Sequence, residues 1–63
     1  MELKITIKLD NAAFQPDPIN EIESILDNLK LRFDAMSRDV RIGDDFILRD
    51  SNGNRVGVAE FTE

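Results

Sequence analysis

The sequence has no cysteine and no histidine. The first absence excludes disulfides and thiolate metal sites. The second removes the commonest metal ligand and the usual general base near neutral pH. Basic residues are scarce too: 8 Lys and Arg stand against 13 Asp and Glu, a net charge of −5. A phosphate-binding surface needs clustered Lys and Arg. Here the cations are spread along the chain, so direct binding of nucleic acid is not expected. No apolar run approaches the length of a membrane span, and Met1 is followed by strand-like sequence in place of a basic and apolar leader. The expectation is a cytoplasmic protein without a membrane partner.

What remains is short but patterned. Sixty-three residues make one small α+β domain, residues 1–63. A chain of this size buries only about 60% of the surface that its unfolded form exposes, so the core is marginal. With disulfides and thiolate metal sites excluded, close packing or self-association must compensate. A hydrophobic content of 41% suits a folded domain better than a disordered one.

The first segment, ELKITIKLD, alternates with a period of two. Leu3, Ile5, Ile7 and Leu9 point one way, and Lys4, Thr6 and Lys8 the other, which describes a strand with one wet face. The lysines discourage edge-to-edge pairing if this strand lies at a sheet edge. After NAAFQPDP, Asp17 is placed to cap a helix with Pro18 in its first turn, and Glu21 and Glu23 sit near the positive end of its dipole. Ile19, Ile22, Leu26, Leu29, Phe33 and Met36 follow at steps of three and four, a stripe widened by Ile25, which predicts a helix over 18–36. Ser37 and the charged run after it should end the helix, Gly43 marks a turn, and Val40 and Ile42 close the open end of the core. Asn11 to Phe14 folds Phe14 over the other end. FILRD and NRVGVAEF read as two further strands. The order is β-α-β-β, predicting a three-stranded antiparallel sheet of order 1-3-2 with one helix packed on one face.

The connection between the last two strands, LRDSNGNRVG, is the stretch most like a signature. Asp50, Asn52 and Asn54 match the first half of a calcium loop, but the sixth position holds Arg55 in place of glycine and the twelfth holds Phe61 in place of glutamate. A tight turn over Asp50, Asn52 and Gly53 needs no metal, and two turn types fit. A two-residue type I′ turn pairs Leu48 with Gly57. A type I turn followed by a bulge at Gly53 pairs Leu48 with Val56 and Phe46 with Val58, gathering four apolar residues on one face. Each of those is worth roughly 1.5–3 kcal/mol on burial. The accompanying Arg49–Arg55 like-charge pair costs only a few tenths of a kcal/mol. Packing therefore favours the bulged register. It leaves Ile47, Ala59 and Phe61 on the face away from the helix, where they are the candidate surface for a partner protein or a second copy.

No catalytic, cofactor-binding or metal-binding residue is expected. Asp44 with Asp45, and Glu21 with Glu23, are neighbours in sequence, yet acid–base chemistry needs two carboxylates held in a cleft that shifts one pKa. A three-stranded sheet with one helix has no room for such a cleft. Ser24, Ser37 and Ser51 have no histidine to activate them, and no Gly-rich phosphate loop precedes the helix.

DNAAF after a short first strand, an acid-rich helix and LRDSNGNRVG together resemble small uncharacterised proteins encoded in bacteriophage and prophage genomes. The two motifs frame nearly the whole chain. The resemblance implies a phage or prophage gene acting in a bacterial cytoplasm, and it brings no catalytic residues with it. Two kinds of function follow: a non-enzymatic protein-binding module, homodimeric or attached to another protein, or an acidic mimic of nucleic acid that blocks a DNA-binding protein. A mimic needs an uninterrupted field of carboxylates. Lys30 and Arg32 interrupt the helix acids, and Lys4 and Lys8 interrupt the sheet, so the binding module is favoured.

Overall fold

The computed structural model describes residues 1–36 and 38–63. Strand β1 covers Glu2–Ile7, a 3-10 turn covers Ala12–Phe14, helix α1 covers Pro18–Ala35, and strands β2 and β3 cover Asp45–Arg49 and Arg55–Thr62. The sheet is antiparallel with order β1-β3-β2, and α1 lies on one face. This is the α+β architecture that the hydrophobic periods predict.

Helix α1 begins where capping chemistry places it. The Asp17 side chain accepts the Asn20 N–H at 3.1 Å, and Pro18 opens the first turn, where its missing N–H has no partner to lose. Met36 ends the helix with its N–H on the Phe33 carbonyl. Ser37, where the sequence expects the stop, lies outside the described residues. The stripe that enters the core is narrower than periodicity alone implies. Ile25 and Leu29 are buried, Ile22 and Phe33 pack against the core's edge, but Leu26 is 41% exposed and Ile19 63% exposed. The helix packs over β2 and the 3-10 turn and not across the whole sheet, so only one line of its apolar residues finds a floor.

The hairpin combines the two registers that the sequence offers as alternatives. Gly53 has φ +84°, no other residue in the turn has positive φ, and the Gly53 N–H reaches the Asp50 carbonyl at 3.0 Å. A type I′ turn needs two positive-φ residues, so this is the type I turn with the bulge at Gly53. Arg49 accordingly lies opposite Arg55. One step further the ladder slips: Leu48 pairs with Gly57, Ile47 with Val58 and Phe46 with Ala59. Val56 and Gly57 thus share one partner, a second bulge, which turns Val56 into the core. The expected Leu48–Val56 and Phe46–Val58 pairs do not form.

The reason lies in β1. Its ladder joins Leu3 to Phe61, Ile5 to Ala59 and Ile7 to Gly57, so odd residues of β3 share a face with the apolar residues of β1. Phe46 and Leu48 belong on that same face, and only a one-residue slip aligns even positions of β2 with odd positions of β3. Phe14, Ile25, Leu29, Leu48, Val56 and Ala59 make the resulting core. Phe33 closes its far end, edge-on to Phe46 at 5.3 Å and tilted to Phe61 at 6.4 Å. Beside them Val40 lines a shallow hollow with Met36, while Ile42 points into solvent and closes nothing.

Candidate functional site

Two groupings of side chains stand out: a polar clasp around the hairpin turn, and a set of exposed apolar residues on β1 and α1. The clasp begins at Asp50, which is buried. Its Oδ1 accepts the N–H groups of Asn52 at 2.9 Å and Asn54 at 2.8 Å, and its Oδ2 accepts the Asn11 side-chain amide at 2.7 Å. Burial alone pushes the Asp50 carboxyl upward. The hydrogen bonds from Asn54, Asn11 and Asn52 favour the charged form more strongly and hold its pKa below the ordinary 3.8. Asn11 in turn caps the 3-10 turn, its Oδ1 accepting the Ala13 N–H at 3.0 Å. That turn delivers Phe14 to the core, as the sequence predicts.

Glu21 completes the clasp from the helix. Its Oε2 accepts the Ser51 N–H at 2.7 Å and its Oε1 the Ser51 hydroxyl at 3.1 Å. A residue placed by its sequence near the helix dipole is therefore turned inward to hold the hairpin tip. Carboxylates at Asp50 and Glu21 face N–H and O–H donors, so the Asp50 oxygens of the calcium-loop pattern already hold the turn together. Arg49 swings its guanidinium to the Gly53 carbonyl at 3.2 Å, which compensates for the Arg55 opposite. The clasp joins the loop after β1, the first turn of α1 and the hairpin tip. It had no signal in the hydrophobic pattern; the available clue was an Asn placed to cap Ala-Ala-Phe.

The three residues proposed from the sequence as a partner surface do not lie together. Ile47 alternates with Phe46 and Leu48 and faces outward, beside Val58 and Thr6. Ala59 is 0% exposed beneath the helix, and Phe61 packs against Phe33 on the same inner side. The second bulge sends Val58 out and brings Ala59 and Phe61 in. Its signal was an isolated Gly57 within a strand pattern, which commonly marks a bulge.

The uncovered apolar surface is elsewhere. Leu3 and Ile5 share the inner face with Ala59, yet they are 43% and 42% exposed. On α1, Asn28 and Arg32 border β2 beside Ile47 and Arg49. At about 100° per residue, Ile19 and Leu26 fall on the opposite flank of the helix, away from β2. Leu3 and Ile5, on the inner face of the edge strand β1, and Ile19 and Leu26, on the helix, are the apolar residues left exposed there. Exposed apolar residues of this kind suit a partner surface.

No protein-family model matches the chain, and no curated protein or solved structure matches it. Among the described residues no helix is long and apolar enough to cross a membrane.

Proposed function

We propose that the chain is a small non-enzymatic protein-binding module of a phage or prophage, acting in a bacterial cytoplasm, with the exposed apolar residues of β1 and α1 as its binding surface. One observation carries this reading: Leu3 and Ile5 belong to the core-facing side of the sheet and are nevertheless more than two-fifths exposed. Isolated surface leucines are ordinary. Apolar residues left exposed on the inner face of an edge strand offer a surface that a partner can cover. The phage setting rests on the sequence resemblance alone.

The alternative, an acidic mimic of nucleic acid, finds less support. Glu21 and Asp50 are buried in the clasp, Lys30 lies 3.0 Å from Asp34, and Lys4 lies 3.9 Å from Glu2. The experiment is affinity capture from bacterial lysate at low and high salt, comparing the wild type with a Leu3→Glu/Leu26→Glu chain. The module reading expects capture that resists salt and is lost in the variant. Capture that survives the variant and disappears with salt would favour the mimic.

A further inference from the structure

We propose that a second copy of this chain covers the exposed inner face of β1, joined by antiparallel pairing of β1 with β1 about a two-fold axis at Ile5. This deepens the binding-module reading and rests on it.

Three features of β1 select that register. The first is hydrogen-bond phase. The Lys8 N–H donates to the Val56 carbonyl at 2.8 Å, and Phe61 exchanges bonds with residues 43 and 44 on the β2 side. Even residues of β1 therefore direct their backbone groups to β3, and the odd residues Leu3, Ile5 and Ile7 direct theirs to the free edge. Pairing Ile5 with Ile5 of the second copy sets Leu3 opposite its Ile7, so all three edge residues of each chain are used.

The second feature is charge. The same register sets Glu2 opposite Lys8 of the second copy, twice by symmetry, and Lys4 opposite Thr6. A shift one way, centred on Lys4, brings two Lys4 ammonium groups together. A further shift, centred on Leu3, pairs Glu2 with Lys4 but leaves Ile7 beyond the ladder. Lysines on an edge strand ordinarily oppose pairing; here the two-fold brings an acid to meet Lys8. The third feature is the inner face. Leu3, Ile5 and Ile7 of both copies become neighbours along a six-stranded sheet. A small core gains a continuous apolar floor, and the interface is isologous.

Because the chain lacks cysteine, the register can be read by cross-linking. Opposed residues of a hydrogen-bonded pair have Cα atoms about 5.5 Å apart, within disulfide reach. Under mild oxidation, Ile5→Cys should cross-link faster than Leu3→Cys or Ile7→Cys alone, and mixing the latter two should give the mixed dimer. Leu31→Cys, on the polar side of the helix, sets the collision rate. Independently, Lys8→Glu should weaken dimerisation in sedimentation roughly tenfold, and adding Glu2→Lys should restore it. Far-UV circular dichroism checks that each variant folds. A wild type that stays monomeric at millimolar concentration overturns the dimer, as does Ile5→Cys cross-linking no faster than Leu31→Cys. If that monomer still captures a protein through Leu3 and Leu26, the binding module stands with a foreign occupant. A monomer that captures nothing removes both.

Discussion

Adding one methyl group at Gly57 tests the second bulge directly. A Cβ built there collides with the Thr6 carbonyl oxygen and stands 3.0 Å from both the Thr6 carbonyl carbon and the Ile7 Cα. All three are backbone atoms of β1, so no side chain can rotate out of the way. The strands must part locally. Overpacking of this kind costs about 1–3 kcal/mol, and losing the neighbouring Lys8–Val56 bond adds about 0.5–1.5 kcal/mol. Against this, Ala restricts the unfolded chain and returns about 0.4–1 kcal/mol. Gly57→Ala should therefore destabilise by about 2–3 kcal/mol, out of a total of about 3–9 kcal/mol for a chain this short. With no Trp or Tyr to report, urea unfolding is best followed by far-UV circular dichroism. At a slope of about 1 kcal/mol per molar urea, the midpoint falls by about 2–3 M. Gly53 is the control. Its Cβ would meet nothing within 4 Å, but its φ of +84° disfavours any L side chain. Asparagine, which tolerates the left-handed region, should be accepted at 53 and rejected at 57. A Gly57→Ala chain as stable as the wild type would refute the close approach and the bulge with it.

The clasp yields two more expectations. Asp50 has a folded pKa below its ordinary 3.8, so its contribution is complete above that value and is lost as pH falls through the folded pKa. Urea midpoints of the wild type and Asp50→Asn should differ at pH 7 and draw together as the pH is lowered below 3.8; a gap that does not shrink in acid would deny the carboxylate this role. Glu21→Ala leaves the Ser51 N–H without its charged acceptor and should cost about 1.5–3 kcal/mol. A double-mutant cycle with Ser51→Ala should return non-additive losses, and simple additivity would contradict the contact. Millimolar calcium should leave the Tm unchanged, because a site filled at 100 times its Kd would add about 2.7 kcal/mol; a rise of several degrees would overturn the turn-only reading. Phe61→Lys should lower stability through the lost Phe33 contact even in a protein held monomeric; an unchanged midpoint would place Phe61 outside the core.

The elements themselves were legible from short-range physics. Alternation in ELKITIK, the Asp17-Pro18 start and the three-and-four spacing after it are each decided within a few residues, and so are the turn at Gly53 and the capping of the core by Phe14. Sheet order followed because β3 must lie between β1 and β2 for every pairing to be antiparallel. Faces were another matter. Whether Val58 or Ala59 looks inward depends on β1 and β2 together: each fits β3 in its own phase, and one extra residue at Val56 reconciles them. Reading the hairpin alone could not show that conflict, because half of it lies some fifty residues away in the chain. The helix's sideways position over β2 was equally invisible to periodicity, which ranks Leu26 with Leu29 although only Leu29 finds a floor. Local sequence chose the turns, caps and strands; long-range packing chose which apolar residues were left uncovered, because burial depends on what lies opposite and not on the residue itself.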